Sequence, residues 1–173
     1  MSFSFGDNIR ITVFGQSHSA AMGVVIEGLP AGFEPDEGKL AAFMNRRAPG
    51  RDKLSTPRKE ADSVNFISGL VNGKTCGAPL CAMIENTNTR SADYDELRDV
   101  PRPSHADFAA WAKFGENRDV SGGGQFSARL TAPLCIAGGL CMQLLEKEGI
   151  FIGTHIAAVG SVHDSLFDPV NVS

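Results

Sequence analysis

At 173 residues the chain is the size of one domain and long enough to bury roughly 70% of its unfolded surface around a single core. Its 16 basic and 20 acidic residues give a net charge of −4, which argues against nucleic acid as the main partner because such domains carry a basic excess. No apolar run reaches the roughly 18 residues that cross a bilayer, and residues 1–7 lack a basic-then-apolar leader, so no membrane partner and a cytoplasmic location are expected.

In chain order, residues 9–14 read as a strand ending at Gly15, and residues 22–27 as a second strand closed by Gly28-Leu29-Pro30-Ala31-Gly32. His18 falls in the connection between them. Pro35 suits a first helical turn, and Leu40, Phe43, Met44 and Arg47 recur at helical spacing, so residues 35–47 are predicted as helix. Residues 48–62 hold seven charged side chains, two prolines and one large apolar residue, which is the composition of a mobile basic loop and of a lid. Residues 64–71 and 79–85 read as strands joined by a turn over 72–77. A short helix is predicted over 105–114, with Phe108, Trp111 and Ala112 on one face. A long one follows over 131–148, with Leu134, Ala137, Leu140, Cys141, Leu144 and Leu145 as its apolar stripe, and residues 150–159 supply a last strand. Strands outnumber helices and two pairs look like antiparallel meanders, so the expected class is α+β, a single domain over 1–173 with helices packed against antiparallel sheets.

Cys76, Cys81, Cys135 and Cys141 have neither the paired spacing of a zinc site nor the density of a disulfide scaffold. Each sits among apolar residues, and all are expected to be reduced, buried thiols, with no metal bound.

Chemistry concentrates in Arg102-Pro103-Ser104-His105-Ala106-Asp107, then Arg118-Asp119, then Ser121-Gly122-Gly123-Gly124-Gln125-Phe126-Ser127-Ala128-Arg129. Glycine lets backbone N–H groups approach a phosphate, and a following helix start adds partial positive charge. Arginine supplies bidentate forks for phosphate and carboxylate. An imidazole among them gives or takes a proton at neutral pH. A surface turn with ordinary salt bridges is the plain alternative for the glycines alone, and a structural or surface role is the plain alternative for either histidine alone.

This stretch resembles the central signature of the chorismate synthase family. Phe14-Gly15-Gln16-Ser17-His18-Ser19 is similar to the family's N-terminal histidine motif, Arg46-Arg47-Ala48-Pro49-Gly50 through Thr56-Pro57-Arg58-Lys59-Glu60-Ala61-Asp62 to its arginine-rich segment, and Ile84-Glu85-Asn86-Thr87-Asn88-Thr89-Arg90-Ser91-Ala92-Asp93-Tyr94 to a further block in order and spacing. The resemblance implies a layered sandwich with helices between antiparallel sheets, of which this chain holds about one pseudo-repeat, and a homotetramer. It implies a lyase of the shikimate pathway to aromatic amino acids, the anti 1,4-elimination of phosphate from 5-enolpyruvylshikimate 3-phosphate to give chorismate, with reduced FMN and with NADPH as a reductant for it. Residue by residue, it makes His18 the donor of a proton towards the leaving phosphate and His105 the group that protonates the reduced flavin. Gln125, Phe126, Ser127 and Ala128 would contact FMN, and Ser17, Arg47, Lys53, Arg102 and Arg129 the substrate. His155 and His163 lie outside any motif and are read as structural.

The chain departs from many members at Gln16, Ser19, Ala48, Lys53, Ser104 and Gln125-Phe126-Ser127; Ser19 and Ser104 stand where others have glycine. The end at residues 168–173 shows no turn or cap, and the chain is expected to be the N-terminal half of a family member, inactive alone because a further acidic catalytic residue and flavin contacts belong to the other half. On the residues alone two other classes stay open: a non-catalytic flavin or phosphate-binding module, and a basic-loop protein contacting RNA through residues 46–59.

Overall fold

A computed structural model describes residues 3–48, 61–87, 99–165 and 168. In chain order the elements are β1 (Ser4–Phe5), β2 (Arg10–Gly15), β3 (Ala21–Glu27), α1 (Glu37–Arg47), β4 (Asn65–Ser68), β5 (Leu70–Val71), β6 (Lys74–Thr75), β7 (Leu80–Glu85), α2 (Asp107–Phe114), α3 (Thr131–Lys147), β8 (Ala158–Val159) and β9 (Val162–His163). Five strands form one antiparallel sheet in the order β1-β2-β3-β7-β4, and β5-β6 and β8-β9 are separate two-stranded ribbons. The expected α+β class is what the chain adopts.

Period-two patterning decides which face of the sheet is buried. Leu80, Ala82 and Ile84 of β7 alternate with more open neighbours, Met22, Val24 and Ile26 of β3 do so except at buried Gly23, and all six point into the core. Against this face lies α3, with Ala132, Ile136, Ala137 and Leu140 inward, and α1 packs alongside through Leu40 and Met44. Each large side chain so buried contributes roughly 1.5–3 kcal/mol, which makes this layer the main source of stability.

Local chemistry fixes the helices. Asp36 caps α1 by accepting from Lys39 N–H at 2.9 Å, so the helix begins at Glu37, just after Pro35. Buried Gln143 of α3 spans both backbone polar groups of Asp36, accepting from its N–H at 2.8 Å and donating to its carbonyl at 3.0 Å. Between the two helices Gly139 permits close approach, since a Cβ there would lie 2.8 Å from Leu40 Cδ1.

Several expectations are corrected. The strand predicted over 64–71 is two: Gly69 adopts φ 88, where a Cβ would strike the backbone of Leu80, and the chain leaves the main sheet there after a bulge between Phe66 and Ser68. Of residues 150–159 only Ala158 and Val159 are paired, in a tight hairpin with β9. The buried stripe of α3 is rotated towards Ile136 and leaves Leu134 exposed, because the sheet meets the other side of the helix. Phe108 and Trp111 of α2 face outwards, and only Ala110 is buried there. All four cysteines are free thiols, but Cys76 is exposed because it follows the β5-β6 ribbon, while burial pushes the Cys81, Cys135 and Cys141 thiols up. Residues 128–147 are, against expectation, long and apolar enough to cross a bilayer by length and composition, yet half of that span is buried on the sheet, as befits a core helix.

Candidate functional site

Three consecutive glycines carry the chain into left-handed backbone in the turn Ser121–Phe126: Gly122 at φ 59, Gly123 at φ 86 and Gly124 at φ 53. The turn is held from below by Asp119, whose Oδ1 accepts from Ser121 N–H at 2.9 Å. From above it receives the loop after β2. Ser17 N–H donates to the Gly124 carbonyl at 3.2 Å and Ser17 Oγ to the Ser121 carbonyl at 3.0 Å. A Cβ on Gly122 would lie 2.3 Å from His18 Cε1, so only glycine allows the imidazole to lie on this turn.

The same contacts assign the His18 tautomer. A carbonyl only accepts, so the single Ser17 hydroxyl proton goes to Ser121, and the 2.9 Å contact between Ser17 Oγ and His18 Nδ1 requires Nδ1 to be the donor. In the neutral ring Nε2 is then the acceptor nitrogen. Asn86, at the end of β7, braces the loop: its amide donates to the Gln16 and Ser19 carbonyls at 3.1 and 2.8 Å. Ser19 closes it, accepting from Gln16 N–H at 2.9 Å and donating to the Ala21 carbonyl at 2.6 Å, so the hydroxyl takes up work that a glycine there would leave undone.

Arg102 meets Asp107 at the start of α2 through a bidentate pair, Nε to Oδ2 at 2.8 Å and Nη2 to Oδ1 at 3.0 Å, and its backbone N–H adds a third bond at 3.0 Å. These side-chain hydrogen bonds hold the Asp107 carboxyl down to about 2 against the opposing effect of burial. The guanidinium flanks the glycine turn, with Nη2 3.8 Å from the position of a Gly123 Cβ. His105 is exposed, and its Nδ1 donates to the Pro103 carbonyl at 3.0 Å, again leaving Nε2 as the acceptor of the neutral ring. The neighbouring Ser104 is forced to φ 61, a conformation that glycine adopts without strain.

A second cluster surrounds Asp62. Its buried carboxylate takes Arg47 Nη1 on Oδ2 and Arg129 Nη1 on Oδ1, each at 2.5 Å. Arg47 ends α1 and also donates from Nε to Thr131 Oγ1 at 3.4 Å, which ties α1 to the first residue of α3. Ser127 stands between the two clusters: its Cβ is 3.9 Å from the position of a Gly123 Cβ, and its hydroxyl accepts from Arg129 N–H at 3.3 Å.

The structure thus gathers Ser17, His18 and Arg102 around Gly122 and Gly123, and Arg47 and Arg129 around Asp62. Gln125 and Phe126 continue the turn, with Phe126 against Phe114 at 6.4 Å between ring centroids, and Ala128 is exposed. The hydrogen bond of His105 is local to its own loop. Lys53, and all of the predicted loop except residues 48, 61 and 62, lie outside the described residues. Sequence reasoning gave no role to Asp62, Asn86, Asp107 or Asp119. Each of the four lies inside a segment quoted for its chemistry or for the resemblance, and Asp107 also stands in a predicted first helical turn beside an arginine-bearing loop.

The family model for chorismate synthase matches residues 9–172. The chain belongs to the chorismate synthase family. Chorismate synthase of Lancefieldella parvula is 46% identical over 174 residues, a match that covers 100% of this chain and 46% of that protein. The chorismate synthase of Parabacteroides distasonis is 45% identical over 159 residues, covering 92% of this chain and 44% of that protein. The chain therefore spans about half the length of the curated relatives it matches. A crystal structure of a chorismate synthase superimposes with a TM-score of 0.65 at 24% identity, over 91% of this chain and 40% of that one, so the fold is shared with the family.

Proposed function

We propose that the chain supplies one half of a chorismate synthase site, which eliminates phosphate and a ring proton from 5-enolpyruvylshikimate 3-phosphate with no net redox change. The observation that carries this reading is the seat of His18 on Gly122, because it joins the two motifs with proton-transfer and anion-binding chemistry at van der Waals range. With Nδ1–H committed to Ser17, only the imidazolium form of the ring carries a proton at Nε2; that form gives it to the leaving phosphate and is left as the neutral Nδ1–H tautomer. His105 is the second proton-transfer group and likewise exchanges at Nε2. Arg47, Lys53, Arg102 and Arg129 meet the two carboxylates and the phosphate of the substrate.

Reduced FMN, when bound, supplies the electron chemistry of the elimination. The turn that would hold it fits an anionic group. Its glycines leave the backbone open, and the Ser127 hydroxyl, after accepting from Arg129 N–H, keeps its own proton for a phosphate oxygen. Gln125, Phe126 and Ala128 complete that surface. NADPH as reductant, a four-subunit assembly and a cytoplasmic location belong to the same reading.

The reading is tested by phosphate release under anaerobic, reducing conditions with FMN. Two proteins are compared: the 173-residue chain, and a fusion of Ser173 to the remaining residues of the Lancefieldella parvula relative. The chain alone is expected to release none and the fusion to release phosphate. In the fusion, His18→Ala or His105→Ala should lower turnover by about 10²- to 10⁴-fold with flavin affinity much less changed. A folded but inactive fusion would overturn the proposal, and turnover by the chain alone would show that its residues form a complete site.

A further inference from the structure

Asp62 is the most constrained charged residue in the described chain. Its side chain has no solvent exposure, and its backbone sits at φ 49, in the left-handed region that a non-glycine residue occupies only when its surroundings compel it. Each carboxylate oxygen takes a different guanidinium, so the residue joins the end of α1, the segment entering β4 and the turn before α3. Arg47 and Arg129 repel each other, and only a shared counter-charge allows them to stand together. A carboxylate with both oxygens engaged also fixes the planes of the two forks.

We propose that Asp62 is the positioning residue of the anion subsite, holding Arg47 and Arg129 in place. This rests on the reading of those two arginines as substrate-binding groups. The subsite opens at Arg47, whose side chain is 22% exposed, whereas that of Arg129 is 5% exposed and serves as the fixed anchor. The ligand class is a phosphate or carboxylate oxyanion.

Inorganic phosphate serves as the probe on the 173-residue chain, titrated at low ionic strength and followed by the arginine Nε–H resonances, with each variant held well below its own melting temperature. The test turns on sign. Asp62→Asn raises the charge of the trio, so if Asp62 were only background charge phosphate would bind more tightly, and if it were only structural the affinity of the folded variant would not move. Positioning requires the opposite: the amide repels one guanidinium, a charge-assisted hydrogen bond is lost, and the Kd rises by about tenfold. Asp62→Glu keeps the charge and should recover part of that loss. Tighter or unchanged binding by a folded Asp62→Asn variant overturns the proposal. If that variant does not fold, Arg47→Gln decides, because it removes the exposed guanidinium that Asp62 holds. Phosphate binding should then fall by more than about tenfold, and unchanged affinity overturns the proposal. In the fusion, Asp62→Asn should raise KM for the substrate far more than it lowers kcat. Asp62-dependent phosphate binding beside an inactive fusion keeps this inference and removes the proposed reaction. An active fusion whose KM ignores Asp62→Asn does the reverse.

Discussion

Replacing Gly122 with alanine separates the two demands that the turn places on this position. The backbone sits at φ 59, and a Cβ would lie 2.3 Å from His18 Cε1, 2.6 Å from Nδ1 and 2.8 Å from Ser17 Oγ. Gly73 is the internal control: it has φ 76, and a Cβ there meets nothing within 4 Å, so Gly73→Ala reports the left-handed penalty alone, about 1 kcal/mol. In Gly122→Ala the imidazole must also swing away, because it is the movable partner. The hydrogen bonds of Ser17 Oγ to His18 and Ser121 go with it, at about 1 kcal/mol each, for a total loss of roughly 3 kcal/mol. Urea denaturation followed by circular dichroism measures both variants against the parent chain, and the His18 Nδ1–H resonance reports whether the ring has moved. If Gly122→Ala costs no more than Gly73→Ala and the resonance stays, the imidazole does not rest on the turn, and the assigned tautomer loses its basis.

The Asp107 carboxyl is held down to about 2 by Arg102, so the pair stabilises the fold above the ordinary carboxylate range and loses that contribution as pH falls from about 4 to 2; NMR titration should give a pKa near 2, and Arg102→Gln should return it towards 3.8. Ser104→Gly removes the strain of φ 61 and should raise stability by about 1 kcal/mol, against which a lower melting temperature would count. Gly138→Ala, with open space around its Cβ position, should stabilise α3 by about 1 kcal/mol, whereas Gly139→Ala should destabilise because its Cβ meets Leu40 and Phe43 of α1; equal effects from the two would place the helix contact elsewhere.

How far the sequence could be read follows from what each pattern encodes. Alternation in β3 and β7 and the helical spacing of Leu40 and Met44 depend on neighbours a few residues apart, and those elements were legible. Which side of α3 is buried depends on where the sheet lies, so Leu134 was misplaced in the stripe. For α2 the aromatic face was visible but its direction was not, since Phe108 and Trp111 look the same in sequence whether they face a core or solvent. The strand over 150–159 had the right residues, but a strand forms only against a partner, and among the described residues only two of the ten find one. Asp62 lay in a run of charges that reads as a solvated loop; two arginines brought from other parts of the chain give it a reason to be buried, and no local pattern announces that. The pairing of His18 with the glycine turn spans 104 residues, a distance over which periodicity says nothing, and the sequence reading did not contain it.

That long-range seat implies an order of stability. Joining Ser17 to Ser121 in an otherwise unfolded chain would cost roughly 4 kcal/mol of loop-closure entropy, more than a few hydrogen bonds of about 1 kcal/mol each return. The core removes most of that cost. Ser17 lies just beyond β2 and the glycine turn just before α3, and α3 already lies across β2, β3 and β7. The seat therefore forms on a preassembled scaffold and can open without unfolding it. Hydrogen exchange distinguishes this from full coupling, because the Ser17 N–H is bonded to the Gly124 carbonyl and reports on the seat directly. Its opening free energy should be about 2–3 kcal/mol, well below that of the Val24 and Ile26 amides in the central strand. If Ser17 exchanges as slowly as those core amides, site and core open as one unit. His18 could then be displaced only by global unfolding, and the local cost assigned to Gly122→Ala would be wrong.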